Sequence, residues 1–294
     1  MDEHQWLAER FEEKRAYLQA VAYRMLGSSS EADDAVQKAW LRLSRSDARG
    51  IENLGGWLTT VVARVCLDML RSRKSRHEQP LETLTPEPAE SRQDGNDPER
   101  EALLADSVGL ALLVVLERLS PAERLAFVLH DLFAVSFNEI APILGRSPAA
   151  TRQLASRARH RVRGTATVPD ADLTRQREVV EAFLAASRRG DFKALLAVLD
   201  PDVVVQADRA AVPPGAARQV RGAQAVAGQA LIFAQRARFA QLALVNGAVG
   251  VVVAPRGHLF MVLALKFKGG KIVAVDVIAD PVRLRQIDLA VLDG

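Results

Sequence analysis

Between His77 and Pro98 the chain carries four prolines, Pro80, Pro86, Pro88 and Pro98, set among acidic and small residues with few apolar ones. Proline has no backbone N–H to donate and clashes with the preceding helical turn, so neither a helix nor a central strand continues through such a run. The stretch reads as an extended linker, and the sequence on either side of it must fold separately. A chain of 294 residues has room for two or three such units. Its 49% hydrophobic content supplies a core for each.

Upstream of the linker the apolar residues recur at helical spacing. Phe11, Tyr17-Leu18, Val21-Ala22 and Met25 mark one helix, closed by Gly27. Ser30 is placed to cap the next, with Glu31, Asp33 and Asp34 in the first turn and Ala35-Val36, Ala39-Trp40 and Leu43 on its buried face. Asn53-Leu54-Gly55-Gly56 breaks the pattern, and a third helix is expected from Trp57 to about Arg71, with the stripe Trp57-Leu58, Val61-Val62, Val65-Cys66 and Met69-Leu70. Each helix is marginal alone, and three facing stripes make a bundle. Cys66, the single cysteine, lies in that stripe and reads as a small buried hydrophobe.

Downstream, Asp106–Leu119 reads as a helix. Ser120-Pro121-Ala122-Glu123 then combines an N-cap serine, proline at the first helical position and glutamate at the third. Ser136 with Glu139 repeats the signal for Phe137–Leu144, a short or bent element because of Pro142. Gly145-Arg146 makes a turn, and Ser147-Pro148 opens a helix to about Val162. From Asp172 onward the pattern changes. Helices around Val179–Leu184 and Ala194–Leu199 precede strands at Val203–Val205, Leu242–Val245, Val249–Val253, Leu259–Leu265 and Ile272–Ile278, with turns at Gly247 and Gly269-Gly270 and a last helix over Pro281–Leu289. Helices followed by an antiparallel set of strands mean an α+β domain.

The segment Ser136–Val162 carries the first chemical signal. Ala150, Leu154, Ala158 and Val162 recur every four positions toward the preceding helix, leaving Arg152, Gln153, Ser156, Arg157, His160 and Arg161 around the other sides. A helix buried on one face and basic on the other fits a major groove. Ser147 and the small residues Ala149, Ala150 and Thr151 let its N-terminus approach a phosphate backbone. Arg152, Gln153 and Arg157 are assigned to the groove side. A solvated basic helix in an all-helical protein is the plain alternative. A second basic cluster, Arg71, Arg73, Lys74 and Arg76 after Arg64, ends the third helix near the Asn53–Gly56 loop and Trp57. A loop beside a basic face can hold an unstacked base, although favourable cations at a helix C-terminus and a packed Trp57 explain the same residues.

Charge is divided along the chain: residues from 171 onward carry a net +5, residues 1–170 a net −2. No basic start followed by an apolar run opens the chain and no stretch of eighteen apolar residues occurs, so a cytoplasmic protein without a membrane partner is expected. No ligand set for a metal or cofactor is evident. Asp208, His258 and Asp276 are the polar candidates near strands, and each reads more simply as a turn or edge residue.

At this point the sequence resembles the extracytoplasmic-function sigma factors, in the branch with a C-terminal SnoaL/NTF2-like domain. Tyr17–Gly27 with Glu31-Ala32-Asp33-Asp34-Ala35-Val36-Gln37 resembles the family's polymerase-binding helices. Trp57-Leu58-Thr59-Thr60-Val61 with Cys66–Arg73 resembles its −10 element region, and Leu119–Arg161, above all Gly145–Arg159, its −35-reading domain. The resemblance implies a multidomain chain of two all-α domains, the second with a helix-turn-helix, followed by the α+β domain. The expected spans are 1–76, a linker over 77–105, then 106–164 and 172–294. It implies docking of the first helical domain on the β′ clamp helices of core RNA polymerase, with Glu31, Asp33, Asp34, Gln37 and Trp40 as candidate contacts, and of the second helical domain on the β flap. It also implies promoter DNA as ligand, with a non-template base captured by residues 53–56, and no covalent chemistry or cofactor. Leu84-Thr85-Pro86-Glu87-Pro88 resembles the branch's linker motif without its tryptophan, and Asp280-Pro281-Val282-Arg283-Leu284 its terminal helix motif, giving Pro86, Glu87, Pro88, Asp208, Asp280, Pro281 and Leu284 as regulatory candidates. Relatives follow the equivalent of Asp208 with a glycine triplet; here Arg209-Ala210-Ala211 stands instead. A small apolar ligand in the last domain is compatible with the fold. A cavity enzyme with a helical extension and a ligand-sensing helix-turn-helix repressor are the competing readings.

Overall fold

The structure, a computed structural model, describes residues 3–46, 51–76, 109–213, 215–232 and 237–292. Pro86, Glu87 and Pro88 lie outside the described residues. The first three helices are α1 (Glu3–Leu26), α2 (Ser29–Leu43) and α3 (Leu54–Arg76). They bury Phe11, Leu18, Val21 and Met25 of α1 with Ala35, Val36 and Ala39 of α2 and Leu58, Val62 and Cys66 of α3. Gly27 ends α1 in the left-handed region at φ +78°, its N–H donating to the Tyr23 carbonyl at 2.8 Å. Ser28, not Ser30, caps α2, its hydroxyl accepting from the Glu31 amide. The cap sits one residue beyond the glycine because the chain reverses immediately. Burial pushes the Cys66 thiol up to about 12.

The second helical group comprises α4 (Leu110–Glu117), α5 (Pro121–Phe127), a π-helical turn (Val128–Leu132), α6 (Phe137–Leu144) and α7 (Pro148–Arg163). Both expected capping boxes form, Ser120 with Glu123 and Ser136 with Glu139. Residues 106–108 of the expected longer helix fall outside the described residues.

The described residues form two compact units. One contains α1–α3 and residues 116–160; the other contains Gly109–Val115 and everything from Arg161 onward. In the second unit α8 (Asp170–Arg189), α9 (Phe192–Val198) and α10 (Ala223–Ile232) lie with a seven-stranded sheet. Its strands are β1 (Leu199–Ala207), β2 (Gln219–Arg221), β3 (Ala240–Val245), β4 (Ala248–Val253), β5 (Met261–Lys268), β6 (Lys271–Ile278) and β7 (Leu289–Ala290), in the order β2-β1-β6-β5-β4-β3-β7. The core joins Val180, Leu195, Val203, Val249, Val251 and Ile272.

The expectation of a purely antiparallel set is corrected: β1 pairs with β6 in parallel, Val205 opposite Val275. The long connection between them, holding α10 and the four strands β2 to β5, permits a parallel return that a tight turn does not. The last helix, α11 (Pro281–Gln286), is shorter than expected, and Leu289-Ala290 leaves it to pair with β3. Gly269 and Gly270, at φ +57° and +74°, make the two-residue β5–β6 hairpin expected from sequence.

The chain leaving α7 is fastened within this unit. The Val291 N–H donates to the Val162 carbonyl at 2.7 Å, and the Thr167 N–H to the Gly247 carbonyl at 2.9 Å. Gly164 has φ +60°, and a Cβ there would stand 2.3 Å from the Ala290 side chain. The amide of Ala111, near the start of α4, donates to the Gln241 side-chain carbonyl of β3 at 3.1 Å.

Candidate nucleic-acid interface

The short helix α6, a left-handed glycine and the longer helix α7 build the first candidate face. Gly145 closes α6 at φ +63°, with its own N–H and that of Arg146 returning to the Ala141 carbonyl. Ser147 opens α7 by accepting from the Ala150 amide at 3.2 Å. Thr151, Leu154, Ala155, Ala158 and Val162 are buried along α7. Arg152, Gln153, Ser156, Arg157, His160 and Arg161 are exposed, so one face of α7 is open and polar. Ser147 is exposed at its start. Thr151 is a correction. It is fully buried and its hydroxyl donates to the Ser147 carbonyl at 3.0 Å, because a 3.6-residue repeat places it on the stripe of Leu154 and Ala158. It presents nothing to a groove.

Carboxylates from the preceding elements reach the arginines of α7. Arg159 pairs with Asp131 at 2.8 Å, and Arg157 stands 4.0 Å from Glu123. The Arg152 guanidinium lies 5.4 Å from the centre of the Phe137 ring.

The second candidate face differs from expectation at Asn53–Gly56. Leu54, Gly55 and Gly56 are the first turn of α3 rather than a loop. Asn53 makes this possible: its side-chain oxygen accepts from the Gly56 amide at 3.0 Å and its carbonyl from the Trp57 amide. A Cβ on Gly56 would meet the Asn53 amide at 2.9 Å, so the glycine leaves room for the cap. Trp57 is half-buried, Asn53, Arg64 and Arg71 are exposed, and Lys74 and Arg76 continue the same helix. Arg73 turns inward. It pairs with Glu31 and donates to the Leu26 carbonyl. Of the expected polymerase contacts, Asp33, Asp34 and Gln37 are exposed on α2. Asp33 accepts from Gln19 at 2.5 Å, and Trp40 packs on Phe11 with ring centres 5.1 Å apart.

The candidate residues up to His160 belong to the first unit, and one buried cation, overlooked by sequence reasoning, ties the two helical groups of that unit together. Arg124 of α5 is 3% exposed. Its Nε and Nη2 both donate to the Arg24 carbonyl of α1, at 3.1 and 3.0 Å. Burial pushes the guanidinium down to about 10, so it stays charged at neutral pH. Tyr17 meets Phe133 edge-on at 5.3 Å, and the Arg24 guanidinium stands 5.1 Å from the centre of the same Phe133 ring. The available signal was an arginine in register with the buried Leu125, Val128 and Leu129.

In the second unit, Asp208 is buried and fully committed. Its carboxylate accepts from the amides of Ala211, Ala279 and Asp280 at 2.8–3.0 Å and stands 3.6 Å from Arg283, which also reaches Asp276. Asp280 in turn caps α11, with Pro281 at its first position and Leu284 buried beneath. Asp208 thus staples the strand end carrying Arg209-Ala210-Ala211 to the start of α11. Arg209, Ala210 and Ala211 keep negative φ, so their departure from glycine costs no backbone strain. His258 lies in a separate turn after β4. Among the described residues no group of three or more His, Cys, Asp or Glu side chains could hold a metal.

Residues 11–76 match the family model of Sigma-70 region 2, and residues 109–162 that of Sigma-70, region 4. The chain is 41% identical to the ECF RNA polymerase sigma factor SigJ of Mycobacterium tuberculosis over 92% of its own length and 91% of that protein's. The crystal structure of that extracytoplasmic function sigma factor covers 94% of this chain and 98% of its own, at 38% identity and a TM-score of 0.46. An NTF2-like protein from Burkholderia xenovorans covers 40% of this chain and 97% of its own, at 22% identity and a TM-score of 0.26.

Proposed function

Because this chain belongs to the extracytoplasmic-function sigma factors, we propose a division of labour among its surfaces in bringing RNA polymerase to promoters. It acts as a sigma factor, directing core polymerase to promoter DNA, with a helix-turn-helix in its region 4. In the proposed division, Arg152, Gln153, Ser156, Arg157, His160 and Arg161 on the open face of α7 read the −35 element, with Ser147 at the helix start. Asn53, Trp57, Arg64 and Arg71, at the start and along the outer side of α3, meet the −10 element. Asp33, Asp34 and Gln37 on α2 face the β′ clamp helices, and region 4 docks on the β flap. Among the described residues no helix is long and apolar enough to cross a membrane, consistent with work in the cytoplasm beside the polymerase.

The observation that carries the DNA reading is α7 itself, buried along Thr151, Leu154, Ala155, Ala158 and Val162 and open along its arginines. Such a helix offers donors to base edges and phosphates without disturbing its own packing. The C-terminal domain is proposed to modulate activity through the last turn of α7, whose Val162 carbonyl is held by Val291. The commitment of Asp208 to three backbone amides leaves the cavity-enzyme reading without its strongest acid. Run-off transcription with core polymerase tests the proposal, comparing the full chain with chains ending near Gly164 and near Ala279. Promoter-specific transcripts from the full chain, altered in amount by truncation, are expected. No transcript from any version refutes the division of labour, and indifference to truncation refutes the modulatory role.

A further inference from the structure

The π-helical turn between α5 and α6 buries Val128 and Leu129 at its start, and its far end lies beside the recognition helix, where Asp131 meets Arg159. Wide turns of this kind interrupt the regular ladder and are frequent at functional sites. Here the turn runs out through Ala134, a non-glycine residue in the left-handed region at φ +55°, and the chain folds back so that the Val135 N–H donates to the Leu129 carbonyl. The reversal brings the Val135 carbonyl to His130. Nδ1–H of the imidazole donates to that carbonyl at 3.0 Å, which fixes the ring's edge and its tautomer. The face of the same ring stacks on Phe137, with centroids 3.8 Å apart and planes 29° from parallel. Phe137, at the first position of α6, carries the guanidinium of Arg152 at 5.4 Å.

Resting on the reading of α7 as the −35-binding helix, we propose that His130 and Phe137 are positioning residues for Arg152, and that they set the base preference at the single position Arg152 reads. An arginine free to swing finds phosphates and any purine edge. One laid on an aromatic ring keeps its planar fork in a fixed direction, so fewer rotamers must be lost on binding a base edge. Arg159 is held in another way, by the Asp131 carboxylate at 2.8 Å, and a carboxylate pair turns a guanidinium away from DNA phosphates. The ring leaves every N–H donor of Arg152 available, and Arg152 is exposed. The column therefore orients without consuming donors, as a base-reading side chain requires. Phe137 and His130 touch no base in this scheme; they act through Arg152.

The test uses the full chain with core polymerase and a promoter library randomised across the −35 element, with run-off transcripts sequenced. Variants are Arg152→Lys, Phe137→Leu, Phe137→Tyr and His130→Gln. Arg152→Lys identifies the position that Arg152 reads. Phe137→Leu and His130→Gln are then expected to flatten the preference at that same position by about two- to five-fold, leaving the remaining −35 and −10 preferences in place. Phe137→Tyr, which keeps the ring, retains the wild-type preference. A merely structural role lowers all positions together, and that result, or an unchanged preference profile, overturns the proposal. If Phe137→Leu fails to fold, as judged by circular dichroism, His130→Gln decides by the same criterion. Absence of promoter-specific transcripts from the wild-type chain is a separate failure, that of the sigma-factor assignment of α7.

Discussion

Replacing Arg124 tests how the two promoter-facing helical groups are joined. Its guanidinium, held down at about 10 rather than 12.5, has its charge disfavoured by roughly 3 kcal/mol. Its two hydrogen bonds to the Arg24 carbonyl are charge-assisted and together contribute a similar amount. Charge and hydrogen bonding thus nearly offset each other, and what remains is the packing of the side chain. Arg124→Met keeps most of that volume and removes the charge but leaves the Arg24 carbonyl without these donors, so a loss of about 1–2 kcal/mol is expected. Arg124→Ala leaves the same carbonyl unpaired and a cavity besides, with an expected loss of about 3–5 kcal/mol. The assay follows from composition: all three tryptophans, Trp6, Trp40 and Trp57, lie in α1–α3, whereas Arg124 is in α5. Urea unfolding followed by tryptophan fluorescence therefore reports on one helical group after a change in the other. A shift to lower urea in Arg124→Ala, with a smaller shift in Arg124→Met, is expected. An unmoved tryptophan transition in Arg124→Ala refutes the coupling, and equal losses in both variants refute the offset.

Cys66, with its thiol raised to about 12 from 9.0, gives a pH prediction. The unfolded thiol ionises first, so stability falls as pH rises from about 9 toward 12; at pH 10 the loss relative to Cys66→Ala is on the order of 1 kcal/mol, measurable by urea titration. Asp208→Ala strands three backbone amides, and a loss of about 3 kcal/mol is expected in the C-terminal unit. Hydrogen exchange at Ala279 and Asp280 reads this directly, and unchanged protection contradicts the staple. Gly164→Ala places a methyl 2.3 Å from Ala290 at φ +60°, costing about 1–3 kcal/mol. A thermal transition within experimental error of wild type shows that the junction is not fastened as described.

The parts most legible in the sequence were those written in local hydrogen bonding. Ser120 with Glu123 and Ser136 with Glu139 announce helix starts because cap and partner lie three residues apart. Gly269-Gly270 announces its hairpin for the same local reason. What escaped was set by contacts far along the chain. The parallel pairing of β1 with β6 depends on a return over some sixty residues, which no local pattern encodes. Helix α10, rich in alanine and lacking a clear polar face, shows no helical stripe. Gly55 and Gly56 imitate a loop, and the Asn53 cap that keeps them helical is visible only once its side chain is placed. In the candidate interface the exposed arginines of α7 were readable from their spacing. Thr151 was misplaced because a repeat of four drifts off the true 3.6-residue stripe within three turns. Arg73 and Arg124 needed their distant partners, Glu31 and Arg24, before their inward direction could be known.

The most direct measurement varies the spacing between the two promoter elements. On a promoter recovered by run-off sequencing, the spacer is lengthened or shortened by a few base pairs while both elements are kept, and transcripts are counted with core polymerase present. Two helical groups riding on one enzyme tolerate a narrow range of spacing, so output should fall about tenfold or more outside it. Output that ignores the spacer contradicts two-point reading.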